Sequence, residues 1–185
     1  MKPNGGYAGS ILHVDLSSKT YRTEALPEEL TDRFLGGAGI NAALALKLLN
    51  PGSDPFAPDN CAIFGLGPLV GTMVPGAGKG NLTARSPYSR FLGISGHGRF
   101  GALKYAGYDH LVVTGRAERP TVISIADDRV SFLDASELWG RDVFETTDRI
   151  WAQLSERTDV TCIGPSGENR VYDAALITNK YAAFA

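Results

Sequence analysis

Five cations, Lys79, Arg85, Arg90, Arg99 and Lys104, fall in a stretch from Gly65 to Gly107 that also holds half of the chain's 22 glycines. No acidic residue interrupts them before Asp109, although the whole chain carries a net charge of −2. Glycine lacks Cβ and tolerates positive φ, so a ligand can approach the bare backbone closely. Exposed N–H groups beside cations form a surface for anions, phosphates above all. Ser86, Ser89 and Ser95 add hydroxyl donors for phosphate. His97, between Gly96 and Gly98, can donate to an anion or cofactor, or stand as an exposed loop imidazole. Without a ligand, the same stretch reads as tight turns with solvated arginines.

Named nucleotide motifs do not fit. A P-loop needs G-x-x-x-x-G-K-[ST], and Gly76-Ala77-Gly78-Lys79-Gly80 has neither the spacing nor the following hydroxyl. Neither Gly76–Asn81 nor Gly93–Gly98 places its glycines as a dinucleotide fingerprint requires. Ile94-Ser95-Gly96 is not a nucleophile elbow. No His, Cys, Asp or Glu cluster has metal-site spacing, and two cysteines, Cys61 and Cys162, cannot build a four-thiolate site. Each cysteine sits in a short apolar run and reads as a buried reduced thiol. At 43% hydrophobic and 21% charged, the composition is that of a soluble globular protein, not a nucleic-acid or membrane binder. No apolar run approaches the ~18 residues of a membrane span. MKPNGGYAGS has no apolar h-region, so no signal peptide is expected and the expected location is the cytoplasm.

The elements that would hold this stretch occur in a recurring order. Ser10–Leu16 and Thr20–Glu24 read as a hairpin. Pro27-Glu28-Glu29 starts a helix that stops near Gly36-Gly37, and a second helix covers Ile40–Leu49. A buried strand, Cys61–Phe64, runs into Gly67-Pro68. In the second half, Thr121–Ile125 and Val130–Leu133 form another hairpin. Asp134–Glu137 has the pattern of a capping box. A helix over Val143–Leu154 aligns Val143, Phe144, Thr147, Ile150, Trp151 and Leu154 on one face. A strand, Val160–Ile163, runs into Gly164-Pro165, and Val171–Thr178 reads as a further strand. The expectation is an α+β fold of duplicated β-β-α-β units forming two β-sheets. It would be one domain, 1–185, with repeat halves at about 7–72 and 111–178 and a glycine-rich loop at about 65–109.

Four segments carry a resemblance. They are Gly67-Pro68-Leu69-Val70-Gly71-Thr72, Ala84-Arg85-Ser86-Pro87, Phe100–Asp109 and Ile163-Gly164-Pro165-Ser166-Gly167-Glu168-Asn169, joined by the opening Gly6-Tyr7-Ala8-Gly9 and Val14–Ser17. In this order the chain resembles the N-terminal domain of aldehyde:ferredoxin oxidoreductases, the tungsten-pterin enzymes. The tungsten subunit of class II benzoyl-CoA reductases shares the motifs, and Gly36–Ala42 is slightly closer to that branch. The resemblance implies that the sheets form a base for a tungsten (or molybdenum) bis-pyranopterin, with Mg²⁺ bridging its phosphates.

Carried over residue by residue, the resemblance places Lys79 where the family has a phosphate-binding arginine. Lysine keeps the charge and loses the bidentate fork. Ser95, Gly96 and His97 occupy the turn that meets the cofactor, with serine where asparagine is usual. Arg85 and Arg99 are further cofactor contacts. The Ala183 backbone carbonyl and Ser95 are the implied Mg²⁺ oxygens. The family's [4Fe–4S] cysteines and proton-handling residues lie in later helical domains, so the chain is expected to be inactive alone. Implied partners are those domains or a subunit carrying them, ferredoxin, and a second copy in a homodimer. Three functions stand open: cofactor base of an aldehyde-oxidising enzyme, cofactor base of a benzoyl-CoA-type ring reductase, or a non-catalytic scaffold or self-association domain that has lost the cofactor.

Overall fold

The opening alternation forms a hairpin, β1 (Ser10–Asp15) and β2 (Thr20–Ala25), in a computed structural model that describes residues 5–96, 99–155 and 157–184. Helix α1 (Glu28–Arg33) follows Pro27, with Glu28 and Glu29 meeting the positive end of its dipole. Helix α2 (Ala38–Leu48) starts at Gly37, whose φ of 49° lies in the left-handed region. It ends before Asn50-Pro51, because the residue before proline disfavours the helical conformation.

Strands β3 (Ala62–Leu66), β4 (Gly80–Arg85), β5 (Leu92–Ser95) and β6 (His110–Thr114) join the hairpin in one six-stranded sheet. Its order is β2-β1-β6-β3-β4-β5, and only the β1–β6 pair is parallel. A short helix, α3 (Gly101–Tyr105), precedes β6. The glycine-rich stretch expected as a loop therefore contains two strands and a helix.

The second half adds a separate hairpin, β7 (Thr121–Ala126) and β8 (Arg129–Asp134), then helix α4 (Val143–Gln153). Strand β9 (Thr161–Cys162), the single-turn helix α5 (Pro165–Glu168), β10 (Leu176–Thr178) and β11 (Ala182–Phe184) complete it. The last three strands pair in the order β11-β10-β9. The class is α+β as expected, but the described residues form three sheets rather than two. Hairpin, helix and strand recur in order, whereas the pairing diverges. In the first half β3 joins its hairpin through β6; in the second, β9 pairs with β10 and not with its hairpin.

Three local expectations are corrected. Asp134–Glu137 is not a capping box: Asp134 accepts from the backbone N and hydroxyl of Ser136 and starts only a 3-10 turn. The α4 cap is Asp142, which accepts from the Glu145 N–H. On that helix Thr146, Thr147 and Ile150 are buried, while Phe144 and Leu154 stay exposed. Of Val171–Thr178, only Leu176–Thr178 is strand.

Side chains alternate across the central strands, so each serves two cores. Ile11, Ile63 and Val112 pack under α1 and α2 with Leu30, Ile40 and Leu44. Leu12, Phe64 and Leu111 face the second half with Val130 and Phe184. The α2 side also buries a polar cluster. Asn41 donates to the carbonyls of Ile63 (2.9 Å) and Asn81 (3.2 Å), and its Oδ1 lies 2.8 Å from His110 Nδ1. With Asn41 oxygen as acceptor, Nδ1 carries the proton of a neutral imidazole. Gly65 makes room: a Cβ there would lie 2.1 Å from Asn41 Oδ1.

Burial pushes the His110 pKa down to about 4, against an upward pull from Asp109 and a downward push from Lys104. Its Nε2 is buried without a partner, so a second proton there would lack an acceptor. Between pH 4 and 6.5 the unfolded chain binds more protons at this site than the folded one, so stability falls as pH drops through that window. We expect a loss of about 2 kcal/mol from pH 7 to pH 5, read by denaturant titration. His110→Gln should remove most of the slope. His13, whose pKa is lowered by burial and by Arg22 against the opposing pull of Glu24, adds to the slope in the same direction.

Candidate functional site

Three phenylalanine rings join distant parts of the chain. Phe64 on β3 stacks on Phe100 at 5.0 Å, and Phe184 on β11 meets both edge-on at 5.8 Å. Such packing draws the neighbours of each ring together. Arg99 precedes Phe100 and Ala183 precedes Phe184. Arg99 Nη1 donates to the Tyr181 hydroxyl at 3.0 Å, a bond between residues 82 apart in sequence. Gly80 lets Phe100 lie close, since a Cβ there would stand 3.1 Å from the Phe100 Cβ.

Beside these rings Lys79 and Arg99 face each other in an isolated antiparallel bridge. Neither meets a carboxylate among the described residues. Like charges directly opposite on paired strands are destabilising, typically by a few tenths to about 1 kcal/mol. An anion bound between them removes that penalty. Gly67, Gly76 and Gly78 have nothing within 4 Å of an added Cβ, so the backbone around the cations is open to a ligand.

Ser95 ends β5 opposite Leu82, on the face turned toward the second half. It lines a mostly apolar cavity of about 280 Å³ with Ile163, Leu176 and Phe184. Gly96 follows it, and Ala183 on β11 pairs with Ile177 on β10. His97 lies outside the described residues. Lys79, Ser95, Gly96, Arg99 and Ala183 thus belong to elements gathered around the three rings.

Arg85 and Lys104 lie away from the Lys79–Arg99 pair, as does Arg90 between β4 and β5. Arg85 sits at the far end of β4, roughly 20 Å along the strand from Lys79. Its guanidinium donates to the Pro51 carbonyl and its backbone N–H to Asn60 Oδ1 at 3.0 Å, so it tethers a loop, although it also lines the cavity that holds Ser95. Lys104 pairs with Asp109, which is fully buried and accepts from the N–H groups of Ala8 (3.0 Å) and Gly9 (2.6 Å). The ammonium also lies 5.6 Å from the Tyr7 ring centre.

Sequence reasoning missed Tyr181 and Arg157. Arg157 lines a cavity of about 290 Å³ with Thr72, Gly78, Arg99, Tyr105 and Asp159. Both Asp159 oxygens are engaged, by Ala102 N–H (3.1 Å) and Asn179 Nδ2 (2.8 Å). Nothing near the glycine-rich stretch in sequence points to either residue, because both come from the second half. Among the described residues no three His, Cys, Asp or Glu side chains gather as a metal site. Burial raises the pKa of the thiols of Cys61 and Cys162, in keeping with inert cysteines.

The family model for the N-terminal domain of aldehyde ferredoxin oxidoreductase matches residues 11–185. The chain belongs to this family. It is 40% identical over 181 residues to a tungsten-containing aldehyde ferredoxin oxidoreductase of Pyrococcus furiosus, covering 96% of this chain and 30% of that protein. It is 30% identical over 192 residues to the WOR-like subunit of an aliphatic sulfonate oxidoreductase of the same organism, again covering 30% of the relative. Among solved structures, one chain of the active site complex BamBC of benzoyl coenzyme A reductase, in complex with 1,5 dienoyl-CoA, superposes with a TM-score of 0.93 at 33% identity. That match covers 97% of this chain and 28% of the other. The chain therefore spans about a third of the length of these relatives. Their shared fold is the one described above, and the resemblance drawn from its motifs holds.

If the rings unite the site, Phe184→Ala should cost about 3–5 kcal/mol in denaturant unfolding, as for other buried phenylalanines. A loss below about 1 kcal/mol would show that β11 is not held through this ring.

Proposed function

We propose that this domain seats a tungsten bis-pyranopterin cofactor in an oxidoreductase that converts aldehydes to carboxylic acids and passes the electrons to ferredoxin. The observation that carries the proposal is the Lys79–Arg99 pair: two cations on opposed backbone, without a carboxylate partner among the described residues, beside open glycine backbone. That arrangement fits a phosphate-bearing group. The 40% identity to a tungsten-containing aldehyde ferredoxin oxidoreductase supports the choice of cofactor and reaction. When bound, the tungsten–pterin group supplies the redox and oxygen-transfer chemistry of aldehyde oxidation.

In this reading the chain's own residues bind and orient rather than transfer protons. Lys79 and Arg99 take the cofactor phosphates through charge-assisted hydrogen bonds. Ser95 and Gly96 meet the cofactor at the end of β5, with His97 next in sequence. The Ala183 carbonyl and Ser95 would offer oxygen to the cofactor's Mg²⁺, a hard cation that takes oxygen ligands. The iron–sulfur cluster, the substrate contacts and the ferredoxin surface belong to the length of the relatives that this chain does not span. A cytoplasmic location and a homodimer complete the proposal; no helix among the described residues is long and apolar enough to cross a membrane.

A second reading, the cofactor base of an aromatic-ring reductase, draws on the TM-score of 0.93 with the benzoyl coenzyme A reductase complex. Assay of the assembled protein with an aldehyde and with an aryl-CoA thioester separates the two. Lys79→Glu tests what they share. It should lower the tungsten and pterin content of the assembled protein about tenfold or more, the scale of one charged hydrogen bond. Unchanged content would remove Lys79 from the seat. A protein that stays cofactor-free in a host making tungstopterin would favour a scaffold or self-association domain instead.

A further inference from the structure

Two glycines from separate parts of the chain press on one side chain. A Cβ on Gly37 would stand 2.9 Å from Asn81 Nδ2, and a Cβ on Gly96 would stand 2.8 Å from Asn81 Oδ1. Real Cβ atoms do not approach that closely, so a side chain at either position would push the Asn81 amide out of its place between the two glycines. At Gly37 the positive φ is a separate reason for glycine. At Gly96 the φ is not in the left-handed region, so displacement of the Asn81 amide is the main effect of a methyl group there.

Asn81 stands on β4 opposite Gly65, on the sheet face covered by α2. Its backbone carbonyl accepts from buried Asn41, which is bonded in turn to buried His110. The strand beneath Asn81 is thereby fixed to the core. Its side-chain amide makes no hydrogen bond among the described residues, so that amide is not serving the sheet.

We propose that Asn81 is a positioning residue of the cofactor seat. Its amide is a spacer that sets the distance between the Gly36–Gly37 turn and Gly96, and so fixes where Ser95 and Gly96 meet the cofactor. The proposal rests on Ser95 and Gly96 belonging to that seat.

The test uses Asn81→Ala, Gly96→Ala, the double variant and Lys79→Glu, each in the assembled protein from a host that makes tungstopterin. Tungsten and acid-released pterin are measured per folded chain, with melting temperature as a separate readout. Each single variant at 81 or 96 should lose about tenfold in cofactor retention, as for other residues that orient a ligand shell. Melting temperatures should stay within about 4 °C of the parent. In the double variant the methyl group introduced by Gly96→Ala takes the space the amide vacates, so retention should exceed that of either single variant. Asn81→Ala with full retention, beside a Lys79→Glu that loses cofactor, overturns the role of Asn81 and leaves the seat standing. Loss that merely tracks a fall in melting temperature also overturns it. Full retention in Lys79→Glu together with full retention in both single variants overturns the seat at the end of β5 and the role of Asn81 with it.

Discussion

The candidate site depends on the contact among Phe64, Phe100 and Phe184. A glycine-rich backbone has little side-chain surface with which to hold itself in place, and its conformational freedom must be restrained from outside. Phe100 supplies that restraint by stacking on Phe64, a ring anchored in the middle of the large sheet. Phe184 closes the cluster from a strand near the other end of the chain. Among the described residues, the half that carries the basic residues and the half that carries Tyr181 and Ala183 have no strand pairing in common. Their register is set by ring packing and by the Arg99–Tyr181 bond.

The opposite face of the sheet is held by polarity as well as packing. Asn41, Gly65 and His110 replace apolar contacts with hydrogen bonds that have one geometry, which fixes α2 over β3 and β4 more tightly than apolar packing alone would. The cost is a histidine kept neutral and glycines that admit no substitution. That rigidity matters because α2 begins at the same glycine turn that touches Asn81. A shift of the helix would reach Gly96 through a single side chain.

Much of the scaffold was legible because its signals are local. Alternation marked both hairpins, and Pro27, Gly36-Gly37 and Asn50-Pro51 marked the ends of the first two helices. Strands β4 and β5 were hidden, since Gly80, Asn81 and Gly93 are poor strand formers and pairing with β3 supplies what propensity does not. Charge was misleading for a related reason. Lys104 and Asp109 are five residues apart, and the turn at Gly107, with φ of 94°, folds one onto the other, so a cation counted toward the ligand is spent in the core. Arg85 is taken by a loop carbonyl. Tyr181 and Arg157 could not be found beside the basic stretch, because only the folded chain brings them there.

What remains after those subtractions is a smaller and more pointed charge. Of the five cations in the stretch, Lys104 is buried in an ion pair and Arg85 is tied to the Pro51 loop, while Arg90 occupies a turn at the far end of β4 and β5 with φ of 61°. Lys79 and Arg99 are left at one place, locked opposite each other by their backbones. Two mobile side chains on an open surface would swing apart and relieve their repulsion at little cost. A backbone bridge beside a packed ring allows that relief only at the side-chain ends, and Arg99 is further restrained by Tyr181. In the proposed seat an anion would therefore find the two backbones and the Arg99 side chain already placed, and only the Lys79 side chain would be left to order on binding.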